Sequence, residues 1–247
     1  MKFRIHHKAV TASTNLDARA GAPGDVYTAA EQTAGRGRLA HRWLSPPGVN
    51  LMMSVVFDVE GLAPEQVSTF PLMVGLAVRD ALVRFLPNGA EKRKGGAAAP
   101  AVLLKWPNDV LVDGRKIAGI LCERQGDRVI AGIGVNVNET SFDPEIASRA
   151  TSLACLRGAG GIVSVDMVRD AVLAALDRCF ADWRAKGFAA MHADYVAVDA
   201  LAGRTISVRQ TDDDPVPIAG RCDGVMPDGT LLVAGTLLFA GEAHVQM

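Results

Sequence analysis

Residues 103–123 read LLKWPNDVLVDGRKIAGILCE, with an Asp113-Gly114 pair set between apolar runs. Asp-Gly in that setting is a strong hairpin signal, because both central positions of a type I′ hairpin turn need φ > 0. Strands are expected at Val102–Lys105, Val110–Val112 and Lys116–Glu123, and another at Arg128–Asn138. The stretch also carries chemistry. Lys105 closes an apolar strand ahead of Trp106, Pro107, Asn108 and Asp109. A lysine so placed is partly desolvated, which disfavours its charged form until a carboxylate or phosphate pairs with it; the alternative is a surface lysine snorkelling from a strand end. Further on, GIGVNVN at 132–138 sets glycines and two amides at a strand end. Glycine allows close packing of a flat ligand, and Asn136 or Asn138 can read a base edge or phosphate, or simply form a turn.

Upstream, PNGAEKRKGGAAAP at 87–100 is a polar surface loop whose Lys92-Arg93-Lys94 run reads as a solvated face. Residues 64–86 place Val67, Phe70, Val74, Ala77, Val78, Ala81, Leu82 and Phe85 on one helical face, with Pro71 either starting the main helix or kinking it. The nearly unbroken apolar run VNLMMSVVFDV at 49–59 is a strand covered on both faces. A strand over Asp25–Glu31 delivers the chain into EQTAGRGRLAHRW, residues 31–43. Gly35 and Gly37 let the backbone approach a ligand, and Arg36, Arg38 and Arg42 offer forks of donors suited to carboxylate or phosphate. On its own such a string also fits a solvated loop or an RNA-contacting segment. Residues 3–10 form a first strand, and Ser13, Thr14 or Asn15 either caps a helix over 16–20 or binds a polar headgroup.

Downstream, 139–163 is irregular. Residues 165–197 return to amphipathic helix, with Val165, Val168, Val172, Leu176, Cys179, Phe180 and Trp183 as core and a break near Gly187. From 199 onwards short strands alternate with turns (Gly203, Asp212 to Pro217, Asp223-Gly224, Pro227-Asp228-Gly229), a small β-barrel or sandwich. Lys plus Arg (26) balance Asp plus Glu (27), which argues against a dedicated nucleic-acid binder. Residues 1–43 nevertheless hold seven basic residues against three acidic ones, a local excess suited to a small anion. The four cysteines form no C-x-x-C pair, so neither a disulfide scaffold nor structural zinc is expected. The N-terminus lacks the apolar stretch of a signal peptide and no run reaches membrane-spanning length, so a cytoplasmic protein with reduced thiols is expected. There is no G-x-x-x-x-G-K-[ST], G-x-G-x-x-G or G-x-S-x-G, so the usual kinase and hydrolase readings fail.

STN at 13–15, EQTAGRGR at 31–38 followed by Trp43, KWPND at 105–109, RKIAGIL at 115–121 and GIGVNV at 132–137, in this order and spacing, closely resemble the biotin protein ligases. The resemblance covers nearly the whole chain, since the residues after about 199, with GEAHV at 241–245, are similar to the small C-terminal barrel of those enzymes. It implies an α/β fold of the α+β kind: a mixed β-sheet with packed helices in a catalytic domain at 1–198, and a small C-terminal β-barrel at 199–247. The helix-turn-helix domain of ligases that double as repressors is not expected, because the first motif begins at Ser13, and no DNA-binding role is implied. The implied activity is condensation of biotin with ATP to biotinyl-5′-AMP, then transfer to a lysine of the biotin carboxyl carrier domain of a carboxylase. By motif, Ser13, Thr14, Asn15 and Gln32 would face the ureido headgroup. Arg36, Gly37 and Arg38 would cover biotin and phosphates, and Lys105 would contact the carboxylate and α-phosphate. Lys105 and Arg38 would be the catalytic pair. Trp43, Asn108, Lys116 and Asn136 would serve the nucleotide, and Mg²⁺ would come with ATP, with Asp109 its candidate ligand. The protein would be a monomer or homodimer. Ala40 and His41 stand where the family commonly has glycine and arginine, which bears on how the adenylate is retained. The competing readings are a lipoate or octanoate ligase and a non-catalytic adenylate-binding module.

Overall fold

The computed structural model describes residues 1–38, 41–86, 101–158, 160–210 and 216–246. The surface loop expected at 87–100, Leu39 and Ala40, and part of the turn expected at 212–217 lie outside the described residues.

The hairpin chemistry acts as anticipated. Strands β4 (Val102–Lys105), β5 (Asp109–Val112), β6 (Arg115–Gln125) and β7 (Arg128–Val135) form an antiparallel run, and Asp113 and Gly114 turn with φ of 49° and 77°. β1 (Arg4–Thr11) and β2 (Asp25–Gln32) pair in parallel, and β3 (Leu51–Asp58) joins β2 to β7, giving the order β1-β2-β3-β7-β6-β5-β4. The sheet is mixed, as expected. β3 is central and buried on both faces, because helices cover one side and the site lies on the other.

Strand periodicity of two divides the sheet's faces. Met53, Val55 and Phe57 of β3, with Ala131, Ile133 and Val135 of β7, belong to the main core. There α3 (Phe70–Val83) and α5 (Val165–Lys186) pack through Phe57, Phe70, Phe180 and Trp183, whose neighbouring rings lie 4.8–6.1 Å apart. Pro71 sits in the first turn of α3, after a separate short helix α2 (Pro64–Ser68); it starts a helix and does not kink one. The opposite face carries Ser54, Val56, Gly119, Leu121, Glu123, Ile130, Gly132 and Gly134 by alternation, with α1 (Thr14–Ala18) laid on it through Ala18, Val56 and Ile130.

The main departures from expectation are these. α1 starts at Thr14, two residues early, and Ser13 holds the cap position without a side-chain cap bond. β7 ends at Val135, leaving Asn136–Asn138 beyond the strand. The stretch read as irregular contains α4 (Leu153–Arg157), where Ser152 Oγ accepts from Cys155 N at 3.0 Å. The break near Gly187 is present: a 3₁₀ turn (Phe188–Met191) and α6 (His192–Val196) follow it.

The C-terminal strands β8 (Thr205–Arg209), β9 (Ile218–Val225), β10 (Leu231–Val233), β11 (Thr236–Leu238) and β12 (Glu242–Val245) form a five-stranded antiparallel sheet. Its order is β11-β10-β9-β8-β12, so the expected small barrel takes the form of a sheet with β11 and β12 outermost. Ile206, Val208, Cys222 and Leu231 share one apolar cluster with Leu104 and Trp106 of the main sheet. Trp106 Nε1 donates to Gly229 O at 3.1 Å, so the second sheet is fastened directly to the KWPND segment. No helix among the described residues is long and apolar enough to cross a membrane.

Candidate functional site

A cavity of about 680 Å³ opens on the α1 side of the main sheet and is walled by residues from both sheets. It brings together Ser13, Thr14, Asn15, Gln32, Arg36, Gly37, Arg38, Trp43, Lys105, Asn108, Asp109, Lys116 and Asn136, whereas Asn138, also singled out from sequence, lies off the wall and donates to Val163 O at 2.8 Å.

One end is a network of neutral polar groups backed by the Glu123 carboxylate. Thr14 donates its backbone N–H (2.7 Å) and its hydroxyl (3.1 Å) to Gln32 Oε1. Asn15 Nδ2 donates to Glu123 Oε2 at 2.6 Å and to Leu121 O at 3.3 Å. Ser54 Oγ lies 2.7 Å from Thr14 Oγ1 and 2.6 Å from Asn15 Oδ1, and its single proton serves one of the two. Thr14, Asn15 and Ser54 are buried, so their polar groups need these partners. This arrangement leaves Gln32 Nε2 as a donor, and an Asn15 or Thr14 oxygen as an acceptor, for whatever enters. Gly132 makes it possible: a Cβ there would stand 2.2 Å from Asn15 Oδ1.

Between the two ends lies Trp43. Gly119 and Gly134 are cross-strand partners, and a Cβ on Gly134 would be 2.5 Å from the indole. The flat group that these glycines accommodate is therefore the chain's own tryptophan, where the sequence had suggested a ligand. Gly37 N donates to His41 O and Trp43 N to Gly35 O, folding the arginine loop back on itself.

The other end is cationic. Lys105 is cross-strand partner to Asp109, and Lys116 Nζ lies 2.6 Å from Asp109 Oδ1 as an ion pair, not an aligned hydrogen bond, and 6.0 Å from the Trp43 ring centroid. Burial pushes the Lys105 ammonium below its ordinary range, as do the charges of Lys116 and Arg149, while Asp109 and Glu242 oppose the shift. Arg38 is likewise lowered by burial against the pull of Asp109 and Glu242. Lys105 is the desolvated cation anticipated from the apolar strand end, and Arg38 joins it from the arginine loop. Asn108 and Asn136 line the wall, but their amides already donate to Ile120 O (2.9 Å) and Thr151 O (3.0 Å), tying the wall's backbone together. Arg36 turns away from this end and donates to both oxygens of Glu123 at 3.1–3.2 Å. Among the described residues no group of three or more His, Cys, Asp or Glu is arranged to hold a metal, and Asp109 faces Lys116.

Several site residues escaped the sequence reading. Ser54 had a signal, a lone hydroxyl inside an apolar run. Glu123 had none beyond ending a strand. Glu242 reaches in from β12: His41 Nε2 lies 3.2 Å from its carboxylate, and although burial pushes Glu242 up, that bond and the charges of His244, His41 and Lys105 bring it below the usual range.

Residues 8–138 match the family described as biotin/lipoate A/B protein ligases. The biotin–[acetyl-CoA-carboxylase] ligase of Paracoccus denitrificans is 34% identical over 92% of this chain and 92% of its own length. The corresponding ligase of Mycobacterium tuberculosis is 35% identical over 81% of this chain and 72% of its own. The structure of the Aquifex aeolicus biotin protein ligase in complex with biotin and ATP superposes with a TM-score of 0.81 at 25% identity, covering 98% of both chains.

Proposed function

Because this chain belongs to the biotin/lipoate A/B protein ligase family, we propose that it is an ATP-dependent ligase that activates biotin as biotinyl-5′-AMP and transfers it to a lysine of a biotin carboxyl carrier domain. The carrying observation is the polar end of the cavity. A cyclic urea offers one carbonyl acceptor and two N–H donors, and Gln32 Nε2 with an Asn15 or Thr14 oxygen supplies the donor for the carbonyl and an acceptor for an N–H. An aliphatic lipoyl or octanoyl tail would leave those buried groups unpaired, at roughly 1–3 kcal/mol each.

With the ureido ring at that end, the valerate chain crosses Trp43 and the carboxylate reaches Lys105 and Arg38. A carboxylate oxygen attacks the α-phosphorus of ATP and pyrophosphate leaves. The amine of the acceptor lysine then attacks the acyl carbonyl, loses a proton and displaces AMP. Both transition states gather negative charge on oxygen, and Lys105 and Arg38, already desolvated, face it without solvent reorganisation. Trp43, Lys116, Asn108 and Asn136 form the nucleotide wall. Mg²⁺ would come with ATP and neutralise phosphate charge, and Asp109, which faces Lys116 here, is the carboxylate that would help hold it. Residues 1–198 form the catalytic domain and 199–247 a small second domain, and the reaction belongs to the cytoplasm, where ATP and carboxylases meet.

The test is biotin-dependent exchange between ATP and labelled pyrophosphate, followed by transfer to a carrier domain. Lys105→Ala is expected to lower exchange by roughly 10²–10³-fold. Exchange driven by lipoate and not by biotin, or none from the parent protein, overturns the proposal.

A further inference from the structure

Glu123 stands behind the cavity wall, yet it bonds two residues that line it. Its Oε2 accepts from Asn15 Nδ2 at 2.6 Å, Arg36 Nη2 spans both carboxylate oxygens at 3.1–3.2 Å, and Arg19 Nη2 reaches Oε1 at 3.2 Å. Strand alternation puts Glu123 on the same face as Gly119 and Leu121, and Leu121 O is the second acceptor for Asn15 Nδ2. Two acceptors on one side of the Asn15 carboxamide and the Ser54 hydroxyl on the other leave one amide orientation in which no like groups face each other.

From this geometry we infer that Glu123 is a positioning residue for the acyl substrate: it fixes which way Asn15 presents its amide to the headgroup and holds Arg36 of the ligand loop against the same wall. The inference rests on the ligase reading and adds to it a residue that need not touch either substrate. A surface ion pair would be a weaker account, since exposed pairs contribute roughly 0–1 kcal/mol and order nothing else. The Asn15 end of this one is buried, with Asn15 4% exposed.

Replacing the carboxylate by a carboxamide separates the two jobs. A glutamine at 123 has one acceptor oxygen, so it can satisfy Asn15 or Arg36, and its NH₂ then confronts the other donor. An interaction made equally in ground and transition states appears in KM and not in kcat. For Glu123→Gln, KM for biotin is expected to rise roughly 10- to 100-fold in pyrophosphate exchange, while kcat and KM for ATP stay within about threefold. Glu123→Asp keeps the charge one methylene short and is expected to fall between parent and Gln. Arg19→Met, which removes the partner outside the cavity, leaves all three constants unchanged. An unchanged biotin KM in Glu123→Gln, or a loss confined to kcat, overturns the inference. If Glu123→Gln does not fold, Glu123→Asp decides: a biotin KM indistinguishable from parent overturns it, and a rise supports it. A parent protein without biotin-dependent exchange sinks the ligase reading itself, a separate outcome.

Discussion

Gly132→Ala adds one methyl group at the most crowded point of the cavity floor. Gly132 does not lie in the left-handed region, so alanine suits its backbone, and the smaller unfolded-state entropy would alone stabilise by roughly 0.4–1 kcal/mol. Against that, the new Cβ would stand 2.2 Å from Asn15 Oδ1, 2.9 Å from its Cγ and 3.1 Å from its Nδ2. The whole carboxamide must move, and it is held by Glu123, Leu121 O and Ser54. Loss of two of those bonds costs about 1–3 kcal/mol, and overpacking a buried site about 1–3 kcal/mol more. The net destabilisation is then roughly 1–5 kcal/mol, which for a chain of this size lowers Tm by about 2–4 °C per kcal/mol. Thermal melts give the first number, and pyrophosphate exchange gives the second, a KM for biotin raised roughly tenfold or more with that for ATP unaltered. A variant that melts with the parent and keeps its biotin KM would refute the packing of Asn15 on Gly132, and with it the polar-end reading.

Two further predictions concern the scaffold. Burial pushes the Asp25 carboxyl up, but hydrogen bonds from Ala22 N–H, His6 and Arg4 prevail and bring it from 3.8 to about 2. Its stabilisation is therefore complete above the unfolded-state pKa of about 3.9 and is lost as pH falls through about 2. Asp25→Asn should melt earlier than the parent at neutral pH and show a shallower fall in Tm between pH 4 and 2; a parallel fall in both proteins refutes the assignment. Trp106→Phe keeps the buried ring but strips the 3.1 Å bond to Gly229 O, at a cost of roughly 1–3 kcal/mol for the orphaned carbonyl. A lowered Tm with protease cleavage appearing first in 199–246 is expected, and an unchanged melt would show that this bond does not fasten the second sheet.

What could be read from sequence was whatever depends on neighbours along the chain. The β4–β7 run follows from Asp113-Gly114 and from apolar period, and the helical faces of α3 and α5 follow from 3.6-residue spacing. α4 escaped because five residues hold barely one period, although Ser152 three positions before Cys155 was a cap signal. The motif residues of the cavity were legible as strings. The network joining them was not: Glu123 lies 108 residues from Asn15 and 87 from Arg36, and no local pattern encodes such contacts. For the same reason, the glycine at 134 could announce a flat neighbour without saying that it would be Trp43.

That indole also gives the protein an optical property. Of its three tryptophans, Trp183 is fully buried away from the cavity and is expected to give a steady, blue-shifted background, while Trp106, 2% exposed, stands in the cavity wall. Trp43 has a buried indole N–H without a partner, bare backbone beneath its ring and the Lys116 ammonium 6.0 Å from its centroid. Its excited state is therefore set by whatever charge and water occupy the cavity, so a change in intrinsic fluorescence reports filling of the site in real time, without a label.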